Sequence, residues 1–174
     1  MEIICDAYLV DFRTRKATLV DFLPTKFKHL RALKTHLEEF AKCFKFIEIH
    51  FWDKPTQYIS PTVLDESTNA KEPLTIGNRF FGCVRETATN KLIPIVFYKI
   101  KEIKNIEVQE EYNYIFDCLD YEPHRYKNYL NIYNWYADLL GYPKREELDF
   151  DPFETYFPKD FKLERETNND EADD

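Results

Sequence analysis

Between residues 27 and 44 the apolar side chains Phe27, Leu30, Leu33, Leu37, Phe40, Ala41 and Phe44 recur at steps of three and four. That spacing gathers them on one face of an α-helix. A helix with a single apolar face must bury it against a second layer. The flanking sequence supplies one. Residues 2–12 and 17–23 read as strands paired across Arg13-Thr14-Arg15-Lys16, and residues 79–87 and 91–104 read as a second hairpin turning near Ala88-Thr89-Asn90. Pro24-Thr25 opens the helix, with Thr25 as its predicted N-cap. Pro94 predicts an edge position or a bulge in its strand.

The stretch FKFIEIHFW, residues 44–52, alternates aromatic and β-branched residues with polar ones and is predicted as a further strand. Its Glu48 and His50 would then share a polar face about 7 Å apart, with Ile47, Ile49 and Phe51 on the core side. Residues 53–78 hold three prolines and several Ser, Thr and Asn, and read as a long connection. After residue 105 the pattern turns helical: Val108, Tyr112, Ile115 and Leu119 in one segment, then residues 124–140 in another, ended by Gly141 and Pro143. On the second helix Tyr126, Leu130, Tyr133, Ala137 and Leu140 form the centre of an apolar arc that Tyr129, Ile132, Tyr136 and Leu139 widen to about half the circumference. Lys127, Asn131, Asn134 and Asp138 fall on the wet side, and Trp135 lies off the main stripe.

Residues 144–163 read as an extended segment that pins single aromatics onto the body, and 164–174 as an acidic disordered tail. The expectation is a single α+β domain over residues 1–163. It has a mostly antiparallel sheet of about four to five strands, one helix in the N-terminal half and a helical C-terminal half.

No apolar run reaches the ~20 residues of a membrane helix. The acidic N-terminus lacks the basic flank and cleavage site of a signal peptide. Both point to the cytoplasm, of its own cell or of a host. Cys5, Cys43, Cys83 and Cys118 are too widely spaced for a thiolate zinc cluster and are expected as buried free thiols. Phosphate-binding and nucleophile-elbow glycine motifs are absent. Asp6 and Asp11 fall on opposite faces of a regular strand and so do not make a Mg²⁺ pair. His29, His36 and Cys43 form a row on the helix, but seven residues rise about 10.5 Å per step, too far to share one ion. No metal and no cofactor are expected.

Charge separates the chain into two parts. Residues 1–105 hold 17 Lys and Arg against 13 Asp and Glu, net +4; residues 106–174 hold 7 against 19, net −12, and nine of the twelve Tyr. Tyr and Trp give large contact area at low entropic cost, and carboxylates steer association with a basic surface. In composition alone this half is similar to small acidic inhibitors of nucleases and to proteins that imitate DNA. Glu110, Glu111, Tyr114, Asp117, Asp120, Glu122, Trp135 and Asp138 are the expected partner-binding residues. The partner would be a basic protein such as a nuclease, a toxin or a nucleic-acid-handling complex.

Two other readings stand beside this one. In an enzyme, Glu48 and His50 would serve as acid and base in a pocket roofed by residues 53–78. In a nucleic-acid binder, the basic residues of helix 26–43 would join the lysines at 91–104 in one patch. Interspersed Glu38, Glu39, Glu48 and Glu102 weaken that patch.

Overall fold

The computed structural model describes residues 2–52, 58–66, 74–104 and 122–150; for 58–60 and 122–126 the backbone alone is described. The elements run β1 (Glu2–Val10), β2 (Ala17–Val20), β3 (Lys26–Phe27), α1 (Leu30–Phe51), β4 (Tyr58–Asp65), β5 (Arg79–Glu86), β6 (Leu92–Lys104) and α2 (Glu122–Leu140). All described pairings are antiparallel: the six-stranded sheet has the order β2-β1-β6-β5-β4, with β3 also on β1. The α+β class holds, with one strand more than the expected range.

The two hairpins turn in the same way. Asp11 N–H donates to Lys16 O and Arg15 N–H to Asp11 O; Glu86 N–H donates to Lys91 O and Asn90 N–H to Glu86 O. The fifth residue of each turn, Arg15 or Asn90, has positive φ. Asn tolerates that region, whereas Arg enters it at a steric cost. Pro94 lies at a bulge: Cys83 faces Pro94 while Gly82 faces Val96, leaving Ile95 unopposed on β5.

Strand alternation sends Ile3, Cys5, Ala7 and Leu9 of β1, Phe80 and Val84 of β5, and Val96, Tyr98 and Ile100 of β6 to one face, where both helices pack. The helix α1 crosses this layer closely. A Cβ on Gly82 would come within 2.9 Å of the Leu37 carbonyl oxygen and 2.7 Å of Val96 Cγ1. Tyr136 of α2 reaches the ends of β1 and β6, its hydroxyl donating over long distances of 3.5 and 3.4 Å to Val10 O and Ile95 O.

Four expectations are corrected. Residues 44–51 are not a strand; they are the last two turns of α1. The apolar stripe Leu33, Leu37, Phe40, Phe44, Ile47, Phe51 continues through them; Leu37 meets the sheet at Gly82, and Phe44 and Phe51 meet Tyr136 and Tyr133 of α2. A second stripe, Cys43, Phe46 and His50, faces α2 and the segment that follows it. Two stripes side by side leave one narrow outer line, and on it Ile49, expected in the core, is 46% exposed.

The N-cap is His29, whose Nδ1 accepts from Ala32 N–H at 3.0 Å; it is not Thr25. Thr25 instead offers its carbonyl to Cys5 N–H. Within the stretch read as a loop, residues 58–65 form β4. On α2 the buried residues Tyr129, Ile132, Tyr133, Tyr136 and Ala137 all fall within the expected arc, but Asn134, expected on the wet side, clasps Arg145. The α2 terminus follows expectation: Gly141 takes φ +79, with Gly141 N–H on Asp138 O and Tyr142 N–H on Ala137 O closing a Schellman cap. The segment read as helical near 108–119 and the tail 164–174 lie outside the described residues.

Candidate functional site

On an α-helix Glu48 and His50 lie about 200° apart. The shared face of the enzyme reading therefore does not exist. Glu48 is 4% exposed. His50 belongs to a cluster tying α1 to the chain after α2. Its ring stacks on Phe150 at 3.5 Å between centroids and 16° between planes. Phe46 meets Tyr129 and Phe150, and Phe51 stacks on Tyr133 at 4.7 Å.

Arg145 lies over the rings of Tyr133 and Phe150, pairs with Asp149, and is held by Asn134 through two 2.8 Å bonds to its backbone N–H and C=O. Tyr142 Oη donates to Phe51 O at 3.0 Å, meeting one of the terminal carbonyls of α1. Burial first, and then the Arg145 charge, hold the His50 pKa below its ordinary 6.5 against the opposing pull of Asp149. Among the described residues its buried Nε2 has no hydrogen-bond partner. Among the described residues the cluster has the architecture of a clasp.

The other histidines and cysteines whose side chains are described separate into distinct roles. His29 caps α1, and His36 Nε2 lies 2.8 Å from the Tyr98 hydroxyl between the rings of Phe27 and Tyr98. Cys5, Cys43 and Cys83 are buried free thiols, as expected; Cys118 lies outside the described residues. Burial, with the Asp6 charge adding to it, pushes the Cys5 thiol up to about 12, and burial pushes Cys83 up to about 11. Neither is a nucleophile near neutral pH. Among the described residues no group of three or more His, Cys, Asp or Glu could hold a metal ion. No described helix is long and apolar enough to cross a membrane.

Of the partner-binding residues expected from sequence, Glu110, Glu111, Tyr114, Asp117 and Asp120 lie outside the described residues, and the Glu122 side chain is likewise not described. Trp135 is half-buried, edge-on to Tyr136 at 4.8 Å. Asp138 is exposed, 3.8 Å from Lys144 Nζ. The Tyr129, Tyr133 and Tyr136 rings are in the core.

For the basic patch, Tyr98 and Ile100 face α1, so Lys99 points to the opposite side of the sheet. The exposed line of α1, with Arg31 and the half-exposed Lys42 and Lys45, therefore lies on the far side of the sheet from Lys99.

That opposite face of the sheet holds what the sequence reading missed. Leu64 pairs with Phe81, Phe81 with Phe97, Phe97 with Tyr8, and Tyr8 with Leu19. The five form one apolar row across β4, β5, β6, β1 and β2. At ~4.8 Å per strand it is about 19 Å long. Tyr8 and Phe97 stack at 4.4 Å and 8°, and Phe81 meets Phe97 at 5.0 Å. Leu19 and Leu64, at the two ends, are 59% and 42% exposed. Among the described residues no helix covers this row.

Beside its β2 end lies a shallow depression of about 640 Å³ whose lining includes Asp6, Asp21, Leu19 and Lys101. It forms where β2 and β3 part along β1. Only the strand register brings these residues together, and no sequence-local signal could show it.

No family model, no curated protein and no solved structure matches this chain.

Proposed function

We propose that the chain is a non-catalytic cytoplasmic binding protein that occupies a basic surface on another protein. Its role is that of an inhibitor: an immunity protein, an antitoxin or a phage-encoded antagonist of a defence nuclease. The observation that carries this reading is the separation of charge, net −12 over residues 106–174 against +4 over 1–105. A field of that sign draws in basic partners and repels nucleic acid. Two features support a role without catalysis. The acid and base offered by the sequence diverge around α1, and the described thiols are buried, with those of Cys5 and Cys83 held protonated near neutral pH.

The experiment is capture of a partner from the native host, followed by charge reversal at Asp117, Asp120 and Glu122. The reading requires a basic partner whose affinity drops at least tenfold on reversal. A partner that is acidic, or one indifferent to the reversal, contradicts it.

A further inference from the structure

The segment that follows α2 turns at Gly141 and closes on the end of α1. It is held there through Tyr142 Oη on Phe51 O, through the Arg145 backbone on the Asn134 amide, and through Phe150 lying flat on the His50 ring. Leu148, between the last two, is buried. Histidine is the one side-chain type in these contacts whose ordinary titration falls between pH 5 and 8.

The contact is built for a neutral ring. Neutral imidazole carries one N–H; the imidazolium carries two. Protonation therefore makes His50 Nε2 a buried, charged donor that meets no acceptor among the described residues. The charged groups that face the ring come from the closing segment: Arg145 repels an imidazolium and Asp149 attracts it. Asp149 is exposed and already pairs with Arg145. From α2 the cluster receives the Tyr133 ring, 5.8 Å from Phe150, and the Asn134 amide. On α1 itself Phe46 lies one turn before His50 against Phe150, and Glu48 points about 200° away. The face of Phe150 attracts a cation, but the Arg145 guanidinium already stands 6.0 Å from that ring. A second cation would meet the first.

We propose that the His50–Phe150 contact is an acid-released latch: protonation of His50 frees residues 142–150 from α1 while the sheet and the two helices stay packed. The packing that holds α1 to the rest of the fold does not pass through His50. Leu37 meets the sheet at Gly82, and Phe44 meets Phe12 and Tyr136. Release uncovers Phe46, Phe51 and Tyr133, the rings on which the segment rests. The device does not depend on what the chain binds.

The test follows the full chain by NMR between pH 7.5 and pH 5. Two signals are read: the titration of the His50 ring, and exchange protection of the Arg145 amide, corrected for the intrinsic effect of pH. The ring should titrate below 6.5. Arg145 protection should fall severalfold by pH 5, with about 30-fold as the ceiling for a ring that titrates at 6.5 once released. Amides of β1, β5 and β6 should keep their protection. His50→Phe keeps a ring on Phe150 without a titrating group, and its Arg145 protection should be the same at both pH values. Asp149→Asn, at an exposed site, removes the charge that favours the imidazolium and should deepen the fall. Constant Arg145 protection in the parent chain, or an equal fall in His50→Phe, would overturn the latch. So would a parallel loss in the sheet, a smaller fall in Asp149→Asn, or a His50 ring that titrates at or above 6.5. Should His50→Phe fail to fold, the ring titration and Asp149→Asn still decide.

Discussion

Gly82 occupies the point where α1 presses closest on the sheet. A methyl group there would meet the Leu37 carbonyl at 2.9 Å, and a backbone atom cannot swing aside as a side-chain tip can. Gly82→Ala should therefore destabilise the fold by roughly 1–3 kcal/mol, the usual cost of overpacking, read as a lower midpoint in urea unfolding. A midpoint equal to the parent's would mean that α1 does not lie where described.

Asp11 and His50 both contribute to the pH dependence of stability. Asp11 is nearly buried, which alone would raise its pKa. Hydrogen bonds from Arg13 N–H, the Arg13 side chain and Thr14, together with the Arg13 charge, outweigh that and hold it below the usual 3.8. Its contribution is present above the ordinary carboxylate value and is lost as pH falls through the folded value. For His50 the fold favours the neutral ring, so its contribution is present above 6.5 and drains as pH falls through 6.5 toward the lowered folded value. The melting temperature should thus decline below pH 6.5 and again in the acid range. His50→Gln should flatten the first decline and Asp11→Asn the second; curves unchanged by either substitution would refute the assignment. Arg145 and Leu37 were not legible in the sequence, because they acquire their roles only through tertiary contact, whereas Arg13 holds Asp11 locally, within the β1–β2 turn.

At the scale of elements, α1 shows how a true pattern can mislead. FKFIEIHFW has strand composition and strand alternation, yet it is helical. A helix buried on two adjacent sides needs apolar residues at Phe44, Ile47 and Phe51 and also at Cys43, Phe46 and His50. Superposed, the two stripes imitate a period of two. The strands of the β5–β6 hairpin were legible because Asn90 marked the turn between two apolar runs and Pro94 marked the bulge. The strand β4 was hidden by Pro61 and by the polar residues around it, and two-residue β3 was too short to leave a pattern.

The segment after α2 was expected to pin aromatics onto the body, and Phe150 does so on His50. Its anchor is Asn134. Asn134→Ala removes two hydrogen bonds to Arg145 and should cost roughly 1–3 kcal/mol. Amide exchange should accelerate at Arg145 and its neighbours while the sheet stays protected. Uniform acceleration, or none, would show that Asn134 does not hold the clasp.

For the molecule as a whole, sequence and structure speak to different surfaces. Charge separation was legible by counting, since net charge is a sum that folding does not alter. The row on the sheet was not, because Tyr8, Leu19, Leu64, Phe81 and Phe97 are distant in the chain and meet only through register. On the proposed reading, the acidic half draws a basic partner at long range. The most direct measurement is the dissociation constant of the captured partner at 50 and at 500 mM salt. Screening shortens the reach of exposed charges from about 14 Å to about 4 Å over that range. The account predicts affinity at least tenfold weaker at the higher salt; a dissociation constant unchanged between the two would contradict it.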